Sequence, residues 1–210
     1  MTVEATPSPK ATDAEIAANF VGPLWAVIQG TGGPRPIQKS HHHFPKVFDA
    51  AWLNSLVLPI GEDRPEAQAV KLAKPLDYER PSTKAAAAAA YAREPRTHVY
   101  ENVVWTSAWM AMVTQVLEEL AGGRVFCTVY ESAAGDQNLG PHVDDWYGAA
   151  VQYSGSKEWL LGEAADNTSA EPTVVMQPGD VQLLPKGLLH DVRTPERSVH
   201  LAFSFFSDRP

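Results

Sequence analysis

The chain has 210 residues, of which 44% are hydrophobic and 20% charged, so it can bury a full core and is expected to form one domain. Its formal net charge of −8 disfavours direct binding to nucleic-acid phosphates, whereas a neutral or cationic substrate such as a basic peptide is compatible with it. The single cysteine, Cys127, excludes an internal disulfide and a zinc site built from cysteines.

The first residues do not predict a secretion signal. Residues 1–5 lack the basic and apolar regions of a secretion signal, and no apolar run approaches the roughly 20 residues needed to span a bilayer. We therefore expect a cytoplasmic protein with no membrane contact. Residues 1–12 carry two prolines and no periodic apolar pattern, which predicts a disordered tail.

The remaining residues, 13–210, are expected to form a single domain whose helical part spans residues 13–123. A first helix is predicted to start at a capping Asp13 and to be broken or kinked near Pro23. A second, shorter helix is predicted after the capping Asp49.

Three adjacent histidines, His41, His42 and His43, follow a loop rich in Gly and Pro. Neighbours in a loop do not all face one ion unless their side chains are specially arranged. We expect solvated or locally hydrogen-bonded side chains, and the alternative is that one of them faces the substrate.

Two further helices are predicted before the C-terminal half. The alanine-rich stretch 82–93 has high intrinsic helicity, and it is either a lid or insertion or a plain surface connection. Residues 107–120 predict an amphipathic helix that lies across a sheet. Its predicted inner face consists of Trp109, Met112, Val113, Val116, Leu117 and Leu120.

Strands dominate the rest of the chain. Residues 98–104 are predicted to be a strand, and from Arg124 onward short apolar runs are separated by glycine turns. This spacing is typical of a β-sandwich or a jelly-roll barrel. We therefore expect a mainly β fold with flanking helices, whose core barrel spans residues 98–206.

A candidate metal site lies in this barrel. In an extended strand, His142 and Asp144 project from the same face, and His190 follows a turn, a short strand and a second turn. Two imidazoles and one carboxylate leave positions open on the metal, as in non-haem Fe(II) oxygenases. Zinc is conceivable from the ligand types, but an oxidase needs a redox-active ion.

The C-terminal half, from about residue 99 to 205, resembles the JmjC-type, cupin-fold Fe(II)/2-oxoglutarate oxygenases, and within them the ribosomal-oxygenase-like branch. Besides the three ligands, four residues follow that branch's pattern Q-x-x-G-x-K-x-W, namely Gln152, Gly155, Lys157 and Trp159. Tyr130 stands in Thr-Val-Tyr where the family has Asn-Val-Tyr, and residues 198–201 resemble its closing S-x-H-L strand.

The resemblance implies a double-stranded β-helix that binds Fe(II), the cosubstrate 2-oxoglutarate and O2. It also implies that Lys157 binds the far carboxylate of the cosubstrate and that the Tyr130 hydroxyl is a second donor. A buried lysine is costly unless an anion meets it, and the alternative is a surface lysine on an edge strand. Thr128 departs from the family's Asn, although its hydroxyl can still donate one hydrogen bond to the cosubstrate.

Asp145, Trp146 and Tyr147 directly follow the first two ligands and are candidate substrate contacts at the mouth of the site. Core packing is the alternative for Trp146. His200, on the last strand, is expected either near the cosubstrate or merely within the sheet.

The expected activity is that of a dioxygenase that hydroxylates an unactivated C–H bond. Ribosomal-oxygenase members carry further modules after the barrel, whereas this chain ends soon after His190, so we expect a chain limited to the catalytic barrel. The leading substrate is an amino-acid residue in a peptide, a carrier-bound amino acid or a small metabolite. The alternatives are an Arg or His residue of a ribosomal protein and a non-catalytic, metal-binding cupin module. The oligomeric state stays open, a homodimer included.

Overall fold

The structure is a computed structural model that describes residues 11–34, 40–61, 70–101, 103–167 and 169–206. The predicted tail, 1–12, therefore lies outside the described residues except for its last two positions. The helices are α1 (Asp13–Gly30), α2 (Ala50–Ser55), α3 (Lys84–Arg93) and α4 (Ala108–Ala121). The strands are β1 (His42–Phe44), β2 (Val70–Lys74), β3 (Asp77–Glu79), β4 (His98–Tyr100), β5 (Arg124–Ser132), β6 (Tyr147–Ser154), β7 (Lys157–Leu161), β8 (Val174–Met176), β9 (Val181–Leu184), β10 (His190–Arg193) and β11 (Ser198–Phe206).

The strands form two antiparallel sheets. The large sheet has the order β1-β9-β6-β11-β5-β4-β2-β3, and the small sheet has the order β10-β7-β8. The predicted mainly β fold with flanking helices is confirmed. Its two sheets face each other in the manner of a double-stranded β-helix.

Side-chain alternation along the central strands divides the molecule into two apolar layers. Val199, Leu201, Phe203 and Phe205 of β11 face the helices α1 and α4, in the larger core. The opposite face of the large sheet packs on the small sheet around a smaller core that includes Ala150 and Trp159. His200 lies on the opposite face of β11 and points into the space between the two sheets.

The first helix begins one residue earlier than predicted. Thr12, not Asp13, is its N-cap, because the Thr12 hydroxyl and the Glu15 carboxylate bond reciprocally to backbone N–H groups in a capping box. The helix runs through Pro23 without a break. The N–H groups in the first turn of any helix have no carbonyl partner within the helix. The capping box provides partners for two such backbone groups, which would otherwise bond to water.

The buried face of α4 is rotated relative to the prediction. Trp109, Val113 and Leu117 are buried as expected, together with Met110 and Thr114. Met112, Val116 and Leu120 are 38–45% exposed instead. Apolar residues occupy more than half of the helix circumference, so periodicity alone does not select the face that packs.

The strand predicted at 98–104 ends at Tyr100, and residues Val103–Trp105 form a single 3-10 turn that leads into α4. The alanine-rich stretch does form a helix, α3, which is capped by the Thr83 side chain. Within the described residues, no helix is long and apolar enough to cross a membrane.

Candidate metal centre

His142, Asp144 and His190 meet at one point between the two sheets. One potential ligand atom from each lies within 4.8 Å of the other two. His190 Nε2 is 3.7 Å from an Asp144 carboxylate oxygen, and the two imidazole rings are 4.2 Å apart between centroids. His142 and Asp144, two positions apart in one segment, therefore converge with His190 from a later segment.

The backbone that carries His142 and Asp144 is not the regular strand predicted from the sequence. His142 forms an isolated antiparallel bridge with His190, in which the two backbones exchange N–H···O bonds of 2.9 Å. Asp144 lies in the following loop, where its carbonyl accepts from the Gly187 N–H at 2.8 Å. The bridge brings the two histidines together, and the loop then turns the carboxylate towards them.

Backbone carbonyls orient both imidazole rings. His142 Nδ1 lies 2.7 Å from the Gly140 carbonyl oxygen, and His190 Nδ1 lies 3.0 Å from that of Leu188. A carbonyl accepts only from a protonated nitrogen, so each ring carries its proton on Nδ1 and presents a free Nε2 lone pair. Burial, and then the neighbouring His142, lower the pKa of His190, which keeps this ring neutral.

A cavity of about 110 Å³ extends from the three side chains to Lys157. The Lys157 ammonium is 2% exposed and donates to Ser132 Oγ at 2.7 Å and to Thr194 Oγ1 at 3.2 Å. Within the described ranges, no carboxylate forms an ion pair with it. Burial lowers the pKa of Lys157 to about 7, against which the charge of Asp136 acts weakly.

An aromatic pair forms another wall of this cavity. Tyr130 is half-buried, and its ring lies parallel to that of His200, with the centroids 4.7 Å apart. Trp159 stacks on His190 and meets His200 edge-on, each at 5.9 Å. Burial, and then the Lys157 charge, hold the pKa of His200 well below its usual range, so this ring is neutral. Its Nδ1 has no hydrogen-bond partner among the described residues.

The donor set fits the ions and cosubstrate that the sequence predicts. Two neutral imidazoles and one carboxylate on one side of a site suit Fe(II). At the other end of the cavity, a buried ammonium that donates to two hydroxyls suits an incoming carboxylate. A dicarboxylate such as 2-oxoglutarate would reach both ends.

The remaining predicted site residues separate into two groups. Trp146 lines the cavity, whereas Thr128 lines an adjoining groove. Asp145 points into solvent and pairs with Lys186 at 2.7 Å. Tyr147 directly follows Trp146, and the side chains of consecutive residues in a strand point to opposite faces. Tyr147 is therefore buried on the other face of β6, where it packs edge-on against Phe205. The structure does not bring Asp145 or Tyr147 to the cavity.

The histidine triplet lies elsewhere and is not a loop. His42 and His43 belong to β1, which pairs with β9, and His43 Nε2 is 3.0 Å from the Asp180 carboxylate. His43 and Asp180 are far apart in the sequence, so the local hydrogen bonding predicted for the triplet is wrong for His43. Burial, and then His42 and His43, lower the pKa of His41.

Two hydroxyl partners of Lys157 and one residue of the cavity wall were not predicted. Ser132 is two positions after Tyr130 on the same face of β5, and strand alternation alone would have indicated it. Thr194 has a weaker signal, just past the end of β10. Tyr78 gives no sequence signal, because its hairpin reaches the cavity only through tertiary packing.

An open groove of about 700 Å³ continues from the cavity, with Tyr78, Tyr130, Trp146 and Ser204 shared between the two. Three aromatic rings follow one another along it: Trp146 and Phe206 are 5.4 Å apart, and Phe206 and Phe126 are 5.3 Å apart. Trp105, 83% exposed, lies on its other wall, and Glu101 and Glu118 add negative charge.

The sequence model of the JmjC domain matches residues 102–209, half of the chain. The chain is 31% identical to ribosomal oxygenase 2 of Rattus norvegicus over 112 residues, which cover 46% of this chain and 24% of that protein. It is 28% identical over 119 residues to the bifunctional lysine-specific demethylase and histidyl-hydroxylase NO66 of Drosophila melanogaster, covering 48% and 18%. The chain thus spans about a quarter or less of these relatives.

Among solved structures, the chain is similar to YcfD, a ribosomal oxygenase from Escherichia coli, in complex with cobalt and 2-oxoglutarate. The TM-score is 0.62 and the sequence identity 18%, over 88% of this chain and 52% of that one. At this identity the likeness establishes the fold.

Proposed function

The chain belongs to the JmjC-domain family, whose oxygenases use Fe(II) and 2-oxoglutarate, and from this premise we propose that it hydroxylates an amino-acid residue of a polypeptide. The observation that carries the proposal is the buried Lys157 ammonium, which has no carboxylate partner among the residues that the structure describes and lies in the same cavity as the histidines and Asp144. A metal-binding module without turnover has no need of such a cation.

His142, Asp144 and His190 would hold Fe(II). The hydrogen bonds between Nδ1 of each histidine and a backbone carbonyl orient the two rings before the metal binds. Lys157 would bind the far carboxylate of 2-oxoglutarate, with the Tyr130 hydroxyl as second donor. When these groups are bound, they supply the oxidation in which O2 gives one oxygen atom to a C–H bond and one to succinate, with release of CO2.

The protein's further contribution is positioning and exclusion of water. Trp159 and His200 cover the side of the cavity away from solvent, and Ala150 fills the sheet behind them. In such a dry cavity the charge of Lys157 acts on its partner more strongly than it would in water. The open side faces the groove, so the oxidisable C–H bond has to arrive from there.

The size of the groove favours a polypeptide over a small metabolite among the substrates predicted from the sequence. It is several times larger than the enclosed cavity, and its exposed Trp105 and Phe126 offer apolar surface to residues that flank the oxidised one. Glu101 pairs with Lys71, so it is the Glu118 carboxylate that favours a neutral or basic segment.

A ribosomal protein is the second candidate substrate. It is favoured by the names of two relatives, ribosomal oxygenase and histidyl-hydroxylase. Among the alternatives that the sequence leaves open, an Arg or a His residue of such a protein is the candidate position. The acidic groove is compatible with basic ribosomal segments as well.

Succinate release in the presence of Fe(II), 2-oxoglutarate and O2 tests the proposal. The protein should form succinate, and the variant Lys157→Ala should not, whereas Lys186→Ala, at an exposed lysine, should behave as the parent. Mass spectrometry of an unbiased peptide library, of ribosomal proteins and of free amino acids would then show which gains one oxygen atom. No succinate from any mixture would identify a binding module, and oxidation of free amino acids alone would contradict a polypeptide substrate.

A further inference from the structure

The first half of β5 has a neighbouring strand on one side only. β11 pairs with the whole of β5, whereas β4 pairs only with residues 129–131. β4 ends at Tyr100, and the chain then enters the 3-10 turn Val103–Trp105. Among the described residues, no strand continues β4 beside residues 124–128, so this stretch is a free edge of the large sheet.

The backbone N–H and C=O of Cys127 point to that free edge. The backbone polar groups of successive residues in a strand point alternately to its two neighbours. On β6, the Gln152 backbone exchanges bonds of 3.0 and 2.9 Å with the turn 179–180, on the side away from β11. Carried through the two registers of β11, this alternation turns Cys127 away from β11. The Val125 N–H, two positions earlier, agrees with it and donates to the Glu118 carboxylate of α4 at 3.1 Å.

The groove beside the metal cavity runs along this edge. Its lining includes Val125 and Cys127, whose side chains pack in the core on the helix side of the sheet. It also includes Phe126 and Thr128, whose side chains point to the opposite face, towards the barrel interior. A groove that touches both faces of one strand lies against the edge of that strand. Its other wall is formed by α4 and the 3-10 turn.

The peptide groups at this edge are buried and unpaired. Cys127 is only 3% exposed, so its N–H and C=O lie at the bottom of the groove. Within the part of the chain that the structure describes, no hydrogen bond reaches them from the groove side. Buried peptide groups without a partner are rare in proteins, because the bonds to water are lost and not replaced. A ligand that brings its own peptide groups would satisfy them.

We propose that the free edge of β5 pairs with an extended segment of the polypeptide substrate, which lies in the groove as an added strand beside residues 125–127. This inference rests on the proposed function, because it takes a polypeptide as the substrate. The groove opens into the metal cavity at Tyr130 and Trp146, and this continuity favours the substrate over a second copy of the chain, whose edge would block the mouth.

The added strand would present its side chains alternately to two surfaces. One set faces the barrel interior, where the oxidised residue can turn towards the metal and its neighbours meet Phe126 and Phe206. The other set faces α4, where the Glu118 carboxylate favours a basic side chain. Backbone pairing would hold the segment, and the two surfaces would select its sequence.

Residue-resolved amide hydrogen exchange of the free protein, measured by NMR at a low and a high protein concentration, tests whether the edge is open. The Cys127 N–H should exchange at least about tenfold faster than those of Phe126 and Thr128, which face β11. Slow exchange at both concentrations would mean that another part of this chain covers the edge. Slow exchange only at the high concentration would mean that a second copy does. Either result overturns the proposal.

The second measurement uses a random-sequence peptide library, selected for binding to the protein loaded with Mn(II) and 2-oxoglutarate in the absence of oxygen. A selected peptide should slow exchange of the Cys127 N–H by at least about tenfold. Methylation of its backbone nitrogens, one at a time, should weaken binding by about fivefold at every second position, because only alternate N–H groups face β5. A library without binders, no protection at Cys127, or losses without this alternation would overturn the pairing.

Two variants of α4 test the position of the peptide. Ala111 lines the groove, so Ala111→Arg should weaken binding of the selected peptide by at least about tenfold, because it fills the groove and repels basic segments. Met112→Arg, at the neighbouring exposed position outside the groove, is the matched control and should bind as the parent does. Thermal unfolding shows whether both variants fold.

Parent-like binding by a folded Ala111→Arg would overturn the proposal. A peptide that protects Cys127 but gives no succinate and gains no oxygen atom with Fe(II), 2-oxoglutarate and O2 would contradict the proposed function instead, and it would still establish the pairing at β5.

Discussion

The rings of Tyr130 and His200 lie parallel, with centroids 4.7 Å apart and an interplanar angle of 3°. The two residues face each other across the β5–β11 pair, in register. This contact places a neutral imidazole next to the candidate donor to the cosubstrate. His200 was expected either near the cosubstrate or merely within the sheet. The structure places its ring in the wall of the cavity.

The carboxylate of Asp144 should be essential for metal binding, while that of its neighbour is dispensable. Asp144→Ala removes the only carboxylate of the three converging side chains, and we expect Mn(II) to bind at least about 100-fold more weakly. Asp145→Ala, at a solvent-exposed position paired with Lys186, is the matched control and should bind as the parent does. Calorimetric titration with Mn(II) measures both. Equal effects of the two changes would contradict the assignment.

Affinity for 2-oxoglutarate should fall as the pH rises through about 7, because burial lowers the pKa of Lys157 to about 7 in the empty cavity. Below that pH the ammonium is already present, whereas above it a proton must be taken up on binding. The dissociation constant should then approach a tenfold rise for each pH unit, equivalent to about 1.4 kcal/mol.

Calorimetry of the Mn(II)-loaded protein in two buffers of different ionisation enthalpy measures this proton uptake directly. About one proton should be taken up per 2-oxoglutarate bound at about pH 8, and about none at pH values well below 7. Proton release, or affinity independent of pH, would show that Lys157 does not bind the cosubstrate.

Lys157 should destabilise the protein when no 2-oxoglutarate is bound. Replacing it by Met removes a buried ammonium and should raise the free energy of unfolding by about 1–3 kcal/mol while abolishing 2-oxoglutarate binding. A lysine whose pKa is lowered on folding destabilises the protein most at pH values where it is charged in both the folded and the unfolded state. The gain should therefore be largest below pH about 7 and shrink as the pH rises towards 10.5. Urea unfolding across this range provides the measurement, and a loss of stability in Lys157→Met would contradict the argument.

The turn before Lys157 should tolerate no side chain. Gly155 has φ +60°, and a Cβ there would lie 2.0 Å from the Arg197 carbonyl oxygen. Gly155→Ala should lower the free energy of unfolding by about 3 kcal/mol or more, since the backbone has to move. Gly135→Ala, with φ +77° but no atom within 4 Å of the added Cβ, should cost only about 1 kcal/mol. Thermal unfolding compares the two, and similar losses would mean that the close contact does not matter.

The sequence was most informative where spacing and chemistry coincide. His142, Asp144 and His190 were predicted from ligand type and from the turns around them, and the structure brings them together. Tyr147 was predicted for the mouth of the site by proximity to Asp144, but strand alternation sends it into the core. Closeness in sequence is a poor guide once a regular strand begins.

Features that depend on long-range packing had no local signal. Tyr78 is far in sequence from the three candidate ligands, and the position of the β2–β3 hairpin over the loop before His142 brings it to the cavity. The exposed stripe Met112, Val116 and Leu120 is as apolar as the buried side of α4, so the choice between them depends on the tertiary fit against α1 and the sheet.

The most direct test is a crystal structure of the protein soaked without oxygen in Mn(II) and 2-oxoglutarate. We predict a metal within about 2.0–2.3 Å of Nε2 of both histidines and of an Asp144 oxygen. The far carboxylate of 2-oxoglutarate should lie within hydrogen-bonding distance of Lys157 Nζ and the Tyr130 hydroxyl. A metal bound elsewhere, or a cosubstrate whose far carboxylate lies away from Lys157, would contradict the account.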